Sequence, residues 1–281
     1  MLRTVQTPAE VRAFTAGLVG KRLALVPTMG FLHAGHQALI CEGARRADAV
    51  AVSIFVNPTQ FGPNEDLARY PRDLAGDLKK CAEAGATLVY APQPPDVYPP
   101  GYQTYVQVEQ VSRGLDGEKR PGHFRGVATV VTKLLALFRP HVALFGEKDY
   151  QQLQVIRALN ADLELGAEIV GCPTVREADG LAMSSRNTYL DASARAQAVT
   201  LSRGLLAAQA AVRHGERSAG ALQATIRAAM AGVPWVEDYV AVVDGKTLEP
   251  VDQLVPGRPA RALVAAFLGK TRLIDNVALE P

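Results

Sequence analysis

The stretch Arg22-Leu-Ala-Leu-Val-Pro-Thr-Met-Gly-Phe-Leu-His-Ala-Gly-His36-Gln-Ala-Leu-Ile40 decides how the rest of the chain is read. A run of apolar strand formers stops at Pro27, bends at Gly30 and gives way to a helix that starts near Gly35. At such a junction the free backbone N–H groups and the positive end of the helix dipole favour an anion. His33 and His36 fall on one face of the first helical turn, where two imidazoles can donate to phosphate oxygens. Gly35 between them lets a ligand approach the backbone without meeting a Cβ.

The same alternation of strand and helix continues outward. Thr7-Pro8-Ala9-Glu10 has the form of a capping box with proline at the first helical position, so a helix starts there. Strands are expected over 22–26, 49–56, 87–91, 141–145 and 167–171, and helices over 35–47, 71–84, 124–138 and 149–160. The strands are continuous apolar runs, such as Ala49-Val-Ala-Val-Ser-Ile-Phe-Val56, which suits a parallel sheet covered on both faces. The pattern predicts an α/β fold, a doubly wound Rossmann-like domain over 1–175, with its ligand at the carboxyl ends of the strands. From about residue 174 the texture changes to two Ala-rich helices, 191–214 and 217–231, and three strands, 235–243, 261–268 and 271–279. Helices followed by strands, without crossovers, predict a smaller α+β domain over 176–281. The prolines at 92, 94, 95, 99 and 100 read as rigid loop punctuation, and Ser53–Gln60 reads as an exposed edge.

Composition narrows the class. The 281 residues carry 30 Lys and Arg against 28 Asp and Glu, a formal charge of +2, with no basic stripe for nucleic acid. Three cysteines, Cys41, Cys81 and Cys172, have no paired spacing and read as reduced, core-forming thiols in a cytoplasmic protein. No signal-peptide pattern opens the chain, and no apolar run approaches the roughly 18 residues of a membrane span. Gly269-Lys270-Thr271 resembles the end of a phosphate-binding loop, but it lies between two strands and reads as a hairpin turn. No G-x-G-x-x-G follows the first strand, which disfavours a dinucleotide.

Four polar segments fall at the carboxyl ends of strands: Pro27–His36, Asn57-Pro-Thr-Gln60, Gly146-Glu-Lys-Asp-Tyr-Gln-Gln152 and Pro173–Arg186. They place His33, His36, Lys148 and Arg186 around one expected cleft in a nearly neutral chain, which suits a polyphosphate.

Five segments carry a family resemblance. Pro27-Thr-Met-Gly-Phe-Leu-His-Ala-Gly-His36, Ser53-Ile-Phe-Val-Asn-Pro-Thr-Gln-Phe61, Arg120-Pro-Gly-His-Phe-Arg-Gly-Val127, Phe145-Gly-Glu-Lys-Asp-Tyr-Gln-Gln152 and Asp179-Gly-Leu-Ala-Met-Ser-Ser-Arg-Asn187 resemble the pantoate–β-alanine ligases. These belong to the nucleotidyltransferase superfamily with the His-x-Gly-His motif. The resemblance implies ATP-dependent condensation of (R)-pantoate with β-alanine through pantoyl adenylate, on the way to coenzyme A, by a cytoplasmic homodimer. It implies ATP contacts at Met29, Gly30, Phe31, Leu32, His33, Ala34, Gly35 and His36, at Gly146, Glu147, Lys148, Asp149 and Val175, and at Met183, Ser184, Ser185 and Arg186. His36, His33, Lys148 and Arg186 take the catalytic roles, and Gln60, Gln152 and Asn57 hold pantoate and β-alanine. Mg²⁺ is expected with ATP, with Asp77 assisting, and the C-terminal domain is expected to act as a lid. The rival readings are a nucleotidyltransferase of the same superfamily that stops at a nucleotide-linked product, and a non-catalytic nucleotide-binding regulator.

Overall fold

Thr7 accepts from the Glu10 N–H while the Glu10 carboxylate accepts from the Thr7 N–H, so the capping box forms and helix α1 (Pro8–Ala16) starts at the proline. A short strand, β1 (Arg3–Val5), precedes it. The structure, a computed structural model, describes residues 2–280. There follow β2 (Leu23–Thr28), α2 (Ala34–Arg46), β3 (Ala49–Ile54), α3 (Leu74–Glu83), β4 (Leu88–Tyr90), α4 (Pro94–Val97), α5 (Leu115–Lys119), α6 (His123–Phe138), β5 (Val142–Gly146), α7 (Tyr150–Asp162) and β6 (Glu168–Cys172).

These six strands form one sheet in the order β1-β4-β3-β2-β5-β6, and every neighbouring pair is parallel. The chain winds outward from β2 through β3 to β4, then returns to place β5 on the other side of β2. The order therefore reverses between β2 and β5, and a doubly wound sheet opens its ligand crevice at the carboxyl ends of such a pair. β2 runs through Pro27 to Thr28, because a proline's fixed φ suits extended chain and forfeits only one donor. β3 lies between β4 and β2, so the stretch expected as an exposed edge is interior: Ser53 and Asn57 are each 1% exposed. The proline cluster also differs from plain punctuation, since Pro94 and Pro95 open α4 and Asp96 accepts from the Gln93 N–H.

The chain divides into two compact units. One comprises the residues up to Glu147 together with Gln152–Pro173; the other comprises Lys148–Gln151 and the chain from Thr174 onward. In the first, Ala24, Val26, Val50, Val52, Val89 and Leu144 pack with Leu39 and Ile40 of α2. Gly43 is the point of closest approach, where a Cβ would meet the side chains of Ala24 and Leu144 at 3.3 Å. Burial pushes the Cys81 thiol up to about 12 and the Cys172 thiol up to about 11; Cys41 is half-buried, and none of the three forms a disulfide. In the second unit, α8 (Ala192–Arg213) and α9 (Ala219–Met230) share a core with the antiparallel sheet β7 (Trp235–Asp244), β8 (Ala260–Leu268) and β9 (Thr271–Leu279). Leu268 pairs with Thr271, so Gly269-Lys270 is the two-residue hairpin turn the sequence predicts, with Gly269 at φ 60°. Among the described residues no helix is long and apolar enough to cross a membrane.

α6 passes the turn that follows β3 so closely that Gly126 admits no side chain. A Cβ there would stand 2.3 Å from the Thr59 carbonyl oxygen and 2.7 Å from the Gln60 Cα, both backbone atoms that cannot swing aside. Gly126→Ala is expected to lower unfolding stability by about 1–3 kcal/mol through overpacking. An unchanged denaturant midpoint would show that the turn yields freely.

Candidate active site

The loop between β2 and α2 is built from the inside. Thr28 Oγ1 donates to the Ser53 carbonyl at 2.7 Å and accepts from the Gly30 N–H at 3.2 Å, tying the end of β2 to β3. Gly30 and Phe31 then take φ of 82° and 51°, two left-handed residues in succession. A Cβ at Gly30 would lie 3.0 Å from both Asp77 Oδ2 and Ile54 Cγ2, so glycine is needed for space as well as for φ. Asp77, on α3 and 1% exposed, accepts from the Phe31 N–H at 2.8 Å and from the Leu32 N–H at 2.6 Å, one bond to each carboxylate oxygen. In the structure Asp77, expected to assist magnesium, anchors the loop. The carboxylate is buried and engaged on the main chain.

The anchored loop delivers His33 as the N-cap of α2. His33 Nδ1 accepts from the Gly35 N–H, and His36 Nδ1 accepts from the His33 N–H, each at 3.2 Å. With both Nδ1 atoms acting as acceptors, the neutral rings carry their protons on Nε2. The ring centroids lie 4.1 Å apart at 38°, and both residues are half-buried. The pair therefore presents two Nε2–H donors at a helix N-terminus, on the strand beside the switch point.

The turn after β3 is a closed polar network. Asn57 Nδ2 donates to Gln60 Oε1 at 3.0 Å and to the Gly126 carbonyl at 3.1 Å. Its Oδ1 accepts from Tyr98 Oη at 2.8 Å and from Thr59 Oγ1 at 2.9 Å. Burial pushes the Tyr98 phenol up to about 12, which keeps it a neutral donor. Asn57, expected as a substrate ligand, thus directs its hydrogen bonds to the chain and orients Gln60. Gln60 keeps its Nε2 without a hydrogen bond among the described residues. Behind it, His123 Nδ1 lies 2.8 Å from the Gln60 carbonyl oxygen and His123 Nε2 lies 3.0 Å from Arg120 Nη1. Arg120 in turn forms a two-pronged ion pair with Glu65, 2.7 Å on each arm. Burial pushes the Glu65 carboxyl up, the Arg120 bonds and charge pull it down, and the net shift is downward. Gly146 ends β5 beside β2, Glu147 follows it in a 3₁₀ turn, and Gln152 is half-buried near the start of α7.

The second unit holds the remaining expected residues. Lys148 Nζ stands 3.9 Å from Asp149 Oδ1, a long contact, with the lysine side chain 18% exposed. The Lys148 carbonyl accepts from Asn276 Nδ2 at 2.8 Å, and Asn276 Oδ1 accepts from Arg261 Nε at 2.7 Å. The Arg261 guanidinium stacks on the Tyr150 ring at 3.8 Å, and Tyr150 Oη donates to the Gly245 carbonyl at 2.6 Å. Val175 and Met183 are joined through Met183 N–H and the Val175 carbonyl at 3.0 Å, closing a small hairpin. Arg176 pins that hairpin with two bonds to the buried Asp275, at 2.6 and 3.0 Å. Ser184 caps the next 3₁₀ turn by accepting from the Arg186 N–H at 3.2 Å, which gathers Met183, Ser184, Ser185 and Arg186 into one tight turn. Sequence reasoning missed Asn276, Arg261, Tyr98 and Glu65. It quoted Arg120 and His123 in a motif without giving them work. Among the described residues no three His, Cys, Asp or Glu side chains converge as a metal site.

A family model described as pantoate-beta-alanine ligase matches residues 3–278. A pantothenate synthetase of Myxococcus xanthus is 66% identical over 278 residues, covering 98% of this chain and 95% of the relative. The crystal structure of the Thermus thermophilus pantothenate synthetase superposes with a TM-score of 0.94 at 47% identity, covering 99% of this chain and 100% of that one. A pantoate-beta-alanine ligase from Francisella tularensis, complexed with beta-gamma ATP and beta-alanine, superposes with a TM-score of 0.80 at 31% identity over 99% and 97% of the two chains. The chain belongs to the pantoate–β-alanine ligase family.

Proposed function

We propose that the protein joins pantoate to β-alanine at the expense of ATP, through pantoyl adenylate. The observation that carries this reading is the placement of His33 and His36 together at the N-terminus of α2. Each Nδ1 is occupied by a main-chain N–H, so each Nε2–H is a donor at the N-terminus of α2. In the first step a pantoate carboxylate oxygen attacks the α-phosphorus of ATP, and the bond to the bridging oxygen breaks to release pyrophosphate. An anion approaches a polyanion, so donors already fixed in place lower the barrier without reorganising. The two imidazoles serve this role, with Lys148 and Arg186 supplying cationic charge, Ser184 and Ser185 hydroxyl donors, and Gly146 and Asp149 contacts to the ribose. In the second step the β-alanine amine attacks the acyl carbon and AMP leaves.

Gln60 and Gln152 suit pantoate because neutral amides bond its hydroxyls and carboxylate without neutralising the nucleophile. Magnesium would enter with ATP as part of the substrate, held by the phosphates and water, since among the described residues no three His, Cys, Asp or Glu side chains form a cage for it. Family membership supports a homodimer, and the unpaired thiols suit the cytoplasm.

Pantoate-dependent exchange between pyrophosphate and ATP, followed by AMP release on adding β-alanine, tests the assignment. A nucleotidyltransferase ignores pantoate, and a regulator shows neither signal. Lys148→Ala is expected to keep the thermal melt and slow adenylate formation by roughly 10²–10³-fold in single-turnover pyrophosphate release; normal release would remove Lys148 from the mechanism. His36→Asn keeps an acceptor near the Nδ1 position and deletes the Nε2 donor. It is expected to slow adenylation by a similar factor, and to affect amine transfer to preformed adenylate much less. Equal losses in both half-reactions would make His36 a helix cap only.

A further inference from the structure

Of the five segments that carry the resemblance, Arg120–Val127 is left without work by the proposed mechanism, although its buried His123 and Gly126 lie against the turn that carries Gln60. Arg120 cannot lose its proton, so the Arg120 Nη1 facing His123 Nε2 at 3.0 Å is a donor and Nε2 must accept. The imidazole proton then sits on Nδ1, 2.8 Å from the Gln60 carbonyl oxygen, and is donated to it. A charged ring would turn an Nε2–H toward the guanidinium. The Glu65 carboxylate, paired with Arg120 at 2.7 Å, locks the arginine in that orientation.

We infer that His123, oriented by Arg120 and Glu65, is a positioning residue for pantoate: its Nδ1–H fixes the Gln60 backbone and thereby aims the Gln60 carboxamide. The inference rests on the proposed contact between Gln60 and pantoate. Two further contacts leave the turn little slack. Asn57 Nδ2 holds Gln60 Oε1 at 3.0 Å, and Gly126 packs so tightly that even a methyl group would strike the Thr59 carbonyl. With the side-chain oxygen and the main-chain carbonyl both held, Gln60 Nε2 is aimed by the network itself. A substrate contact of this kind loses effect when misplaced by a fraction of an ångström.

Two conservative variants separate the two ring nitrogens. His123→Asn keeps a donor near the Nδ1 position, whereas His123→Gln keeps an acceptor near Nε2 and loses the bond to Gln60. In pantoate-dependent pyrophosphate exchange, H123Q is expected to raise the pantoate KM about tenfold with the ATP KM little changed. H123N is expected to hold the pantoate KM within about threefold of wild type, on the same hydrogen-bond scale. Gln60→Ala, run alongside, must also raise the pantoate KM. An ordinary pantoate KM in Q60A would overturn the Gln60 contact and the inference with it. A defect in Q60A, with H123Q and H123N alike, would overturn the inference alone.

The pH dependence of unfolding supplies a second readout. Burial and the Arg120 charge hold His123 down to about 4, from an ordinary 6.5, against the weaker upward pull of the hydrogen bond to the Gln60 carbonyl and of the Asp116 and Glu65 charges. Above 6.5 the ring is neutral in both folded and unfolded chains. Between 6.5 and 4 the unfolded chain takes up a proton that the folded one refuses, so stability falls, and below about 4 the loss is complete. Wild type should therefore lose more of its denaturant midpoint across that window than H123N. Parallel curves would show that the ring is not held neutral against Arg120, and would overturn the arrangement.

Discussion

The bonds from Asp77 to the Phe31 and Leu32 N–H groups are the constraint on which the site depends. Phe31 sits at a positive φ that costs a non-glycine residue about 1–3 kcal/mol. Hydrogen bonds to a charged group contribute about 1.5–3 kcal/mol each, so two of them outweigh that strain. The loop is held in a conformation it would not adopt alone. The consequence is carried forward by covalent geometry, because Leu32 is followed at once by the His33 cap. Where α2 begins, and hence where two Nε2–H donors point, is decided by a carboxylate on a different helix.

The first unit repeats this logic after β3. Asn57 and Asp77 are both 1% exposed and both engaged by the chain, yet each controls a residue suited to meet substrate. A buried polar group left without partners would cost more than most single contacts contribute, so each of these networks is closed on its buried side. Each network sets the orientation of a polar side chain on its own loop, the imidazoles on one and the Gln60 carboxamide on the other. Both loops leave carboxyl ends of adjacent parallel strands, which is why residues far apart in sequence come to one edge of the sheet.

Much of this was legible in the amino-acid sequence, for local reasons. Continuous apolar strands alternating with helical periodicity specify a parallel sheet, and the capping box at Thr7 and the turn at Gly269-Lys270 involve residues within a few positions of each other. The His33 and His36 pair was visible for the same reason, since N-cap chemistry is local. Asp77 acts on residues 45 and 46 positions away, and no short-range pattern distinguishes such an anchor from a metal ligand. β1 is three residues long and exists only by pairing with β4, so it shows no periodicity of its own. Asn57, which reads as a substrate ligand when taken alone, is enclosed only once Tyr98 and Gly126 are brought to it by the fold.

The C-terminal third shows why a segment without motifs can still bear on chemistry. Asn276 on β9 holds the carbonyl of Lys148, 128 positions earlier, and is itself held by Arg261 stacked on Tyr150. Neither Asn276 nor Arg261 belongs to a phosphate-binding pattern, because each acts on main chain or on another side chain. A lysine is a point charge on a flexible stem, and its usefulness to a developing negative charge depends on how firmly its own backbone is fixed. The Asp149 carboxylate stands off from its ammonium at 3.9 Å, so the charge is not spent on a close local ion pair with its neighbour. The antiparallel sheet thus anchors the lysine through its peptide group, without engaging the ammonium. In this way β9 fixes the backbone of a lysine in the Phe145–Gln152 segment while contributing no recognisable motif of its own.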